Sequence, residues 1–266
     1  MDKAIRKGSV VIQRHSMKIK GKEYCKWIDD NYLMIGKAYF YKGEFDEALK
    51  TFLFIVDEFK KTEIAYEAKI FALRTYSEKN DFLACEGVIT ELNKKRTLNK
   101  KTKLLKHSSI ADCYLKQQNY SLATDELKEC IKLSNKKQAS RFKYILAQVY
   151  QKVGNQKNAY ELFEYVTRES SDYEMTFNAK MNLAKSAIQT GINVTKSKEA
   201  LKKMLKDDKN KEYLDQIYFT ISEIEIAEMD TIACINSLLN STKYSLENDV
   251  QKSVSYTHLT LPTNSN

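Results

Sequence analysis

The sequence predicts an all-α protein, a solenoid of stacked helix hairpins. One short pattern recurs six times along the chain at a nearly fixed period of 36–38 residues. A period in this range is typical of helical-repeat proteins, in which neighbouring repeats share one core. Only 7 glycines and 1 proline occur in 266 residues, so few positions break a helix. The equivalent positions of the six copies are Tyr39, Tyr76, Tyr114, Tyr150, Ala187 and Glu225.

The clearest copy, residues 32–59, predicts two helices joined by a turn. The turn is Lys42-Gly43-Glu44, where glycine adopts a backbone conformation that other residues resist. A glycine inside a helix costs about 1 kcal/mol relative to alanine, so we expect Gly36 to let the paired helix approach closely. The two helices carry apolar stripes at helical spacing. These stripes are Tyr32, Ile35, Gly36 and Tyr39 in the first helix, and Phe45, Ala48, Leu49, Phe52, Val56 and Phe59 in the second.

The other copies keep this pattern with local departures. Cys85 and Cys234 occupy positions that need a small buried residue, so we interpret them as packing cysteines. Extra residues follow Gly191 in the fifth copy, and Glu225 replaces the aromatic residue in the sixth. No proline ends the repeats, so we expect turns rich in Asn, Asp, Ser and Lys to set the helix ends, with Asp29-Asp30 beginning a helix.

This pattern resembles the tetratricopeptide repeat, a helix–turn–helix unit of about 34 residues. The resemblance implies a right-handed α-solenoid with a groove lined by the first helices. In this chain the groove carries an excess of basic residues, which favours an acidic or extended partner. The alternative is that most of these positions are ordinary solvated residues. The candidate groove residues are Lys37, Tyr41, Arg74, Lys116, Tyr144, Gln148, Lys152, Asn178 and Lys185.

Chaperone-binding relatives grip a C-terminal carboxylate with an Asn-plus-Lys clamp. Here the asparagine positions hold Lys37, Arg74, Asp112 and Gln148. The resemblance therefore disfavours that role.

The two ends of the chain do not fit whole repeats. We expect one solenoid over residues 1–253, with a partial repeat over 1–27 and about six repeats over 28–253. Residues 254–266 are interpreted as the translation of a sequencing adapter, because Val254–Thr263 resembles that sequence. We expect the chain to be an internal fragment of a longer parent, with exposed apolar faces at both ends that promote self-association.

The residue patterns predict no chemistry. His15 and His107 lie far apart without Cys or His at ligand spacing, and the 5 cysteines form no CxxC pair. No nucleophile motif and no phosphate-binding glycine motif occurs, so we expect no enzyme activity, no catalytic residue, no cofactor and no metal. No apolar run approaches the ~20 residues of a membrane span, so we expect no direct membrane insertion of this segment.

The net charge of +9 comes in part from one local basic cluster. We interpret the cluster as a solvated linker and helix face. No aromatic residue is interleaved to stack on bases, so we expect no nucleic-acid partner. The cluster comprises Lys94, Lys95, Arg96, Lys100, Lys101, Lys103 and Lys106.

Several stretches are similar to the PorW/SprE-type proteins of gliding, type IX-secreting bacteria. The most specific stretch is residues 203–218, and others are residues 12–17, 27–30, 35–42, 172–175 and 177–180. That family consists of outer-membrane-associated lipoproteins with periplasmic repeats. The resemblance implies a non-catalytic scaffold at the periplasmic face of the outer membrane, with other proteins, above all secretion-apparatus components, as partners. The parent's lipid-anchoring cysteine would lie upstream. The alternatives are a generic peptide-binding tetratricopeptide adaptor or regulatory module, which would be cytoplasmic, and an enzyme accessory subunit.

Overall fold

The computed structural model describes residues 1–20, 22–60, 62–94, 97–245 and 254. The described residues form thirteen α-helices, which confirms the all-α prediction. The chain divides into two compact units, Met1–Ser134 and Asn135–Asn266. The single solenoid over residues 1–253 stays a prediction. The adapter-like segment, apart from Val254, lies outside the described residues.

Unit 1 contains seven of the described helices. Helix α1 packs on α2, and three helix hairpins follow, formed by α2–α3, α4–α5 and α6–α7. Helix α4 also packs on α2, and α6 on α4, so each first helix contacts the first helix before it. The helices are α1 (Asp2–His15), α2 (Ile28–Lys42), α3 (Phe45–Glu58), α4 (Glu63–Glu78), α5 (Phe82–Lys94), α6 (Lys100–Lys116) and α7 (Tyr120–Leu133).

Unit 2 contains three further hairpins, α8–α9, α10–α11 and α12–α13. Helix α10 packs on α8 and α9, and α12 packs on α10 and α11. The loop before α11, residues 191–193, is as long as the loops before α5, α7 and α9, so the extra residues expected after Gly191 do not lengthen it. A 3₁₀ helix over Asp208–Tyr213 precedes α12. The helices are α8 (Lys136–Lys152), α9 (Gln156–Glu169), α10 (Tyr173–Thr190), α11 (Val194–Met204), α12 (Leu214–Ala227) and α13 (Thr231–Tyr244).

Polar turn residues set the helix ends, as predicted. Asn135 forms a capping box with Gln138, and the Thr62 hydroxyl accepts a hydrogen bond from the backbone N–H of Ala65 at 3.0 Å. Gly43 ends α2 with a φ of 84°, the left-handed conformation that glycine tolerates. Asp29 and Asp30 lie in the first turn of α2, where negative charge is favourable.

Aromatic rings dominate the core of unit 1. Phe52 of α3 is fully buried, and its ring centroid lies 5.5 Å from that of Phe71 on α4. A Cβ atom added to Gly36 would lie 2.6 Å from Cε1 of Phe52, closer than side-chain carbons approach. The prediction that Gly36 permits close helix packing is therefore confirmed.

The repeated tyrosines are less uniformly buried than the pattern predicts. Tyr114 is buried, whereas Tyr39, Tyr76 and Tyr150 are half-buried at the edges of the core clusters. A phenol hydroxyl is costly to bury without a hydrogen-bond partner, so the edge of a core suits tyrosine better than its centre.

At Glu225, the sixth copy replaces the aromatic residue with a buried carboxylate. Its Oε2 accepts a hydrogen bond from the Ser237 hydroxyl at 2.6 Å, and its Oε1 lies 3.3 Å from Nζ of Lys198. A buried carboxylate needs such compensation, because desolvation disfavours its charge.

The cysteines pack as predicted at the small positions of the repeat. Cys85 and Cys234 are buried, as are Cys113 and Cys130, while Cys25 is half-buried. All five are free thiols. Burial raises the pKa of Cys130 to about 12, which keeps this thiol protonated at neutral pH.

A small β-hairpin between α1 and α2 was not predicted. Strand β1 (Lys18–Ile19) pairs antiparallel with β2 (Lys22–Glu23). The Glu23 carboxylate holds this segment together by accepting hydrogen bonds from the Ser16 hydroxyl and from the backbone N–H groups of Met17 and Cys25. The bond from Ser16 is the main cause that lowers the pKa of Glu23.

Replacing Phe52 with alanine tests the core of unit 1. We expect Phe52→Ala to lower the free energy of unfolding by about 3–5 kcal/mol, because it removes a fully buried ring and leaves a cavity. Urea denaturation followed by circular dichroism measures this loss. The neighbouring Leu53, 40% exposed, is the control, and Leu53→Ala is expected to cost less than about 1 kcal/mol. A similar small loss for Phe52→Ala would contradict the core assignment.

Two glycine substitutions should act in opposite directions. Gly36→Ala is expected to destabilise the protein, because the new methyl group meets the Phe52 ring. Gly87 lies inside α5 with no atom within 4 Å of an added Cβ, so Gly87→Ala should stabilise by up to about 1 kcal/mol. The same denaturation experiment measures the change in stability of both variants. Equal changes would show that helix propensity alone, and not contact with Phe52, decides the effect at Gly36.

Candidate functional site

The candidate site is the outward side of the first helices, which we call the first-helix face. In unit 1 it contains the predicted residues Lys37 and Tyr41 on α2, Arg74 on α4 and Lys116 on α6. In unit 2 it contains Tyr144, Gln148 and Lys152 on α8 and Asn178 and Lys185 on α10. The two parts are considered separately.

Lys37 and Arg74 converge on one aromatic ring of unit 1. Nζ of Lys37 lies 2.6 Å from Oε1 of Glu67 on α4 and 4.8 Å from the ring centroid of Phe71. The Arg74 guanidinium carbon lies 4.9 Å from the ring centroid of Phe40 and 5.0 Å from that of Phe71. Cations over aromatic faces are attracted by the ring quadrupole. These two side chains are therefore held in place.

Lys116 is also paired within unit 1. Its Nζ lies 2.7 Å from Glu78 on α4 and 3.7 Å from Asp112 on its own helix. The pairs Lys37–Glu67 and Glu78–Lys116 thus connect α2 to α4 and α4 to α6. Partly exposed ion pairs stabilise a fold by only about 0–1 kcal/mol. Their main effect here is to order the face and offset its positive charge.

Tyr41 is the accessible aromatic residue among these predicted positions. It is 58% exposed, and its ring meets that of Phe40 edge-on at 5.4 Å. A tyrosine supported on one side and open on the other presents an apolar body and a polar tip, the combination enriched at protein interfaces.

The first-helix face of unit 2 is rich in amides. Nε2 of Gln148 donates to the Tyr144 hydroxyl at 3.4 Å, and the Tyr144 ring packs edge-on against Phe163 at 5.8 Å. Burial raises the pKa of Tyr144. Lys152 is exposed at the end of α8.

On α10, Nδ2 of Asn178 donates to the Glu174 carbonyl at 3.0 Å. Lys185 lies 3.8 Å from Glu223, which connects α10 to α12. The amide of Gln151 on α8 donates to the Asn182 carbonyl at 3.2 Å and to the Ser186 hydroxyl at 3.0 Å. Side-chain hydrogen bonds thus join neighbouring first helices of unit 2.

Sequence reasoning found the basic members of this face but missed their acidic partners Glu67, Glu78 and Glu223. Each partner lies on an adjacent first helix, about one repeat away in sequence. For Glu78 and Glu223 the signal is the same helical position in the neighbouring copy, because they align with Lys116 and Lys185. Glu67 lies about two helical turns before Arg74, the residue that aligns with Lys37, so this signal does not identify it. Because of these pairs, the net positive charge of the groove is smaller than the count of its predicted basic residues indicates.

His15, His107 and the described residues of the basic cluster lie on helices. Nδ1 of His107 lies 2.6 Å from Oε2 of Glu126, between α6 and α7, whereas His15 is exposed. Lys100 and Lys101 are exposed on α6, and Lys106 donates to Asn93. Lys95 and Arg96 lie outside the described residues.

The described residues contain no group of three His, Cys, Asp or Glu side chains placed to hold a metal ion. Among the same residues, no helix combines the length and apolarity that crossing a bilayer requires.

The family model of the tetratricopeptide repeat matches residues 29–53, which cover nearly all of α2 and most of α3. No curated protein sequence matches this chain significantly.

Solved structures resemble the whole chain at low identity. The C-terminal part of a TPR repeat-containing protein from Cytophaga hutchinsonii is 13% identical with a TM-score of 0.66, over 98% of this chain and 95% of that one. The apo form of RapI is 10% identical with a TM-score of 0.61, over 87% and 72%. YrrB, described as a TPR protein with an unusual peptide-binding site, is 10% identical with a TM-score of 0.51, over 94% and 97%. The predicted fold class, an α-solenoid of tetratricopeptide-like hairpins, is thereby confirmed.

Two ion pairs should differ in their contribution to stability. Double-mutant cycles are expected to give a coupling energy below about 1 kcal/mol for the Lys37–Glu67 pair, whose side chains are partly exposed. Removing one partner of a buried pair costs about 3–5 kcal/mol, so Glu225→Ala should be strongly destabilising. Urea denaturation of the single and double variants measures both. A Lys37–Glu67 coupling energy as large as the loss of unfolding free energy in Glu225→Ala would assign the Lys37–Glu67 pair to the core rather than to a recognition face.

Proposed function

We propose that this chain is a non-catalytic scaffold for protein–protein interaction and an interior part of a type IX secretion or gliding-motility accessory protein. The observation that carries the interaction role is the first-helix face of unit 1, where Tyr41 is open and its charged neighbours are held by ion pairs. Ordered side chains lose less entropy on binding, so a pre-arranged face favours recognition.

The electrostatics of this face favour a partner of mixed charge. Lys37 and Lys116 are each balanced by a glutamate, and Arg74 lies over aromatic rings. A purely acidic partner would have to compete with Glu67 and Glu78 for these cations. An extended segment that places an apolar side chain on Tyr41 and carries both charge signs meets less competition.

The secretion role is supported by where the family-like stretches lie. Residues 12–17 and 27–30 flank the unpredicted β-hairpin, and residues 203–218 include the 3₁₀ helix. In that segment Nδ2 of the buried Asn210 donates to the Met204 carbonyl at 2.8 Å, and its Oδ1 accepts from the Tyr173 hydroxyl. The resemblance is thus strongest where the chain departs from a plain repeat, which is where family-specific features are expected.

The proposed location is the periplasmic face of the outer membrane, with the parent protein's lipid anchor upstream of this segment. The periplasm is oxidising, and four of the five cysteines are buried. Burial limits the access of oxidants to these thiols.

The alternative proposal is a peptide-binding adaptor or regulatory module in the cytoplasm. The peptide-binding site in the description of YrrB favours it, because YrrB shares the helical-repeat fold. An adaptor of this kind would bind short peptides on the first-helix face without any effect on secretion.

Deletion of the parent gene in its source organism separates the two proposals. We expect loss of type IX export and of gliding, restored by the intact gene but only partly by a Tyr41→Ala version. An exposed residue on the second-helix side, Asp125 of α7, supplies the matched control variant Asp125→Ala, which should restore both fully. Normal export and gliding in the deletion strain would contradict the secretion role and leave the adaptor.

Site-specific crosslinking tests the interaction face independently of the pathway. A photo-reactive residue at position 41 is expected to capture a partner protein in cells, whereas the same residue at position 125 should not. Mass spectrometry identifies the captured protein. Equal capture from both positions would show that the first-helix face has no special role.

A further inference from the structure

Two cysteines, a serine and a glutamine form a polar cluster inside the core of unit 1. Cys85 of α5 and Cys113 of α6 are both fully buried and belong to the same core cluster. The Cys85 thiol lies 3.8 Å from the Leu73 carbonyl of α4, and Nε2 of Gln117 donates to Sγ of Cys113 at 3.3 Å. The two sulfurs are within hydrogen-bonding reach of each other. Helices α4, α5 and α6 therefore meet at a pair of thiols.

The hydroxyl of Ser77 on α4 points to a role for this pair beyond packing. Ser77 is fully buried, and among the described residues its Oγ has no partner at good hydrogen-bond geometry. Leaving a buried hydroxyl without such a partner costs free energy, so its presence needs a physical reason. The hydroxyl faces the sulfur of Cys113. A charged sulfur is a much stronger acceptor than a thiol, so the cluster is arranged to stabilise a thiolate at Cys113.

Hydrogen bonding makes the two thiols chemically unequal. The bond from Cys85 is the main cause that lowers the pKa of Cys113 to about 7, and Gln117 and Ser77 act in the same direction against desolvation. The same bond raises the pKa of Cys85, which stays protonated. Thiolates, rather than thiols, attack disulfide bonds. Cys113 is therefore suited to attack first, and Cys85 is suited to react second.

We propose that Cys85 and Cys113 are a redox pair, which an external disulfide such as oxidised glutathione converts to an intramolecular disulfide. The structure shows the reduced form. Both sulfurs are buried, so the exchange takes place while α5 and α6 are apart, above all during folding. The disulfide then joins the second helix of one hairpin to the first helix of the next. The pair lies in the core of unit 1, and its existence does not depend on the function proposed above.

The exchange takes place in two steps. The Cys113 thiolate attacks one sulfur of the external disulfide, forms a mixed disulfide and expels one external thiolate. The Cys85 thiol then gives its proton to that thiolate, and its sulfur attacks Sγ of Cys113 and expels the second external thiolate. This second thiolate takes up the proton that the Cys113 thiol had lost. Two protein thiols are thus oxidised to one disulfide, while the external disulfide is reduced to two thiols.

The other cysteines have different surroundings and serve as internal controls. Cys130 of α7 is buried, and burial is the main cause that raises its pKa to about 12. Burial is also the main cause that raises the pKa of Cys234, which lies in unit 2. Cys25 is half-buried in the segment before α2. The proposal therefore predicts one specific disulfide rather than general oxidation of the chain.

Thiol mapping of the full chain tests the pair. The chain is unfolded in urea with dithiothreitol, refolded with reduced and oxidised glutathione, and alkylated with N-ethylmaleimide in urea. Mass spectrometry should show three of the five cysteines alkylated, and trypsin should release residues 80–94 joined to residues 107–116. A sample kept in dithiothreitol should show all five alkylated. Five alkylated cysteines in the oxidised, refolded sample would overturn the proposal.

The identity of the cross-link separates the fold from chain proximity. Cys113 and Cys130 are closer in sequence than Cys85 and Cys113, and shorter loops close at a lower cost in entropy. An unfolded chain therefore favours the link between Cys113 and Cys130. Dominance of that link, or cross-links spread over several pairs, would show that the fold does not select the proposed pair.

Two alanine variants confirm the partners. The position of Cys85 holds a buried alanine in three other repeats, at Ala48, Ala123 and Ala159. Cys85→Ala is therefore expected to fold and to lose the intramolecular disulfide, leaving Cys113 as a thiol or as a mixed disulfide with glutathione. The matched control Cys130→Ala should keep the link between Cys85 and Cys113. Circular dichroism checks that both variants are folded. An intramolecular link to Cys113 that persists at full yield in Cys85→Ala, or that disappears in Cys130→Ala, would refute the assignment.

Discussion

The fold depends on the docking of each first helix onto the hairpin that precedes it in the same unit. A lone hairpin cannot bury both of its apolar stripes, so neighbouring hairpins must complete each other. In unit 1, Phe71 of α4 contacts Phe40 and Phe52 of the preceding hairpin at centroid distances of 6.0 and 5.5 Å. Because the stripe residues are buried in this contact, recognition is left to the outward faces of the helices.

The features that the sequence predicted are those with local causes. A glycine at the end of α2, asparagine caps and a helical apolar stripe each depend on residues within a few turns. Gly36 was predictable because a helix-interior glycine needs a reason, and the ring of Phe52 supplies it. The β-hairpin was missed because its strands have two residues each, too short for an alternating pattern, and because Glu23 stabilises it through contacts on both sides in sequence.

The sequence indicated which residues form the candidate site, but it did not indicate which of their charges are paired. A residue count treats Lys37 and Glu67 separately, although the fold places them 2.6 Å apart. Such pairs join residues of neighbouring first helices, so they become visible only when the packing of those helices is known. Glu225 illustrates the reverse case. The alignment marks it as the charged member of a series of four tyrosines and one alanine, and its partners Lys198 and Ser237 explain how the carboxylate is tolerated.

Similar hairpin surfaces raise the question of how the correct neighbours are selected. Lys79 and Glu228, each three residues after an aligned position of the repeat, have opposite charge, and each pairs with the second helix of the preceding hairpin. Asp46 of α3 pairs with Lys79 after α4, whereas Lys198 of α11 pairs with Glu228 after α12. An exchange of the incoming helices would place Lys79 beside Lys198 and Glu228 beside Asp46, and both contacts would be repulsive. Each pair adds little stability, but the penalty for the wrong neighbour supplies specificity.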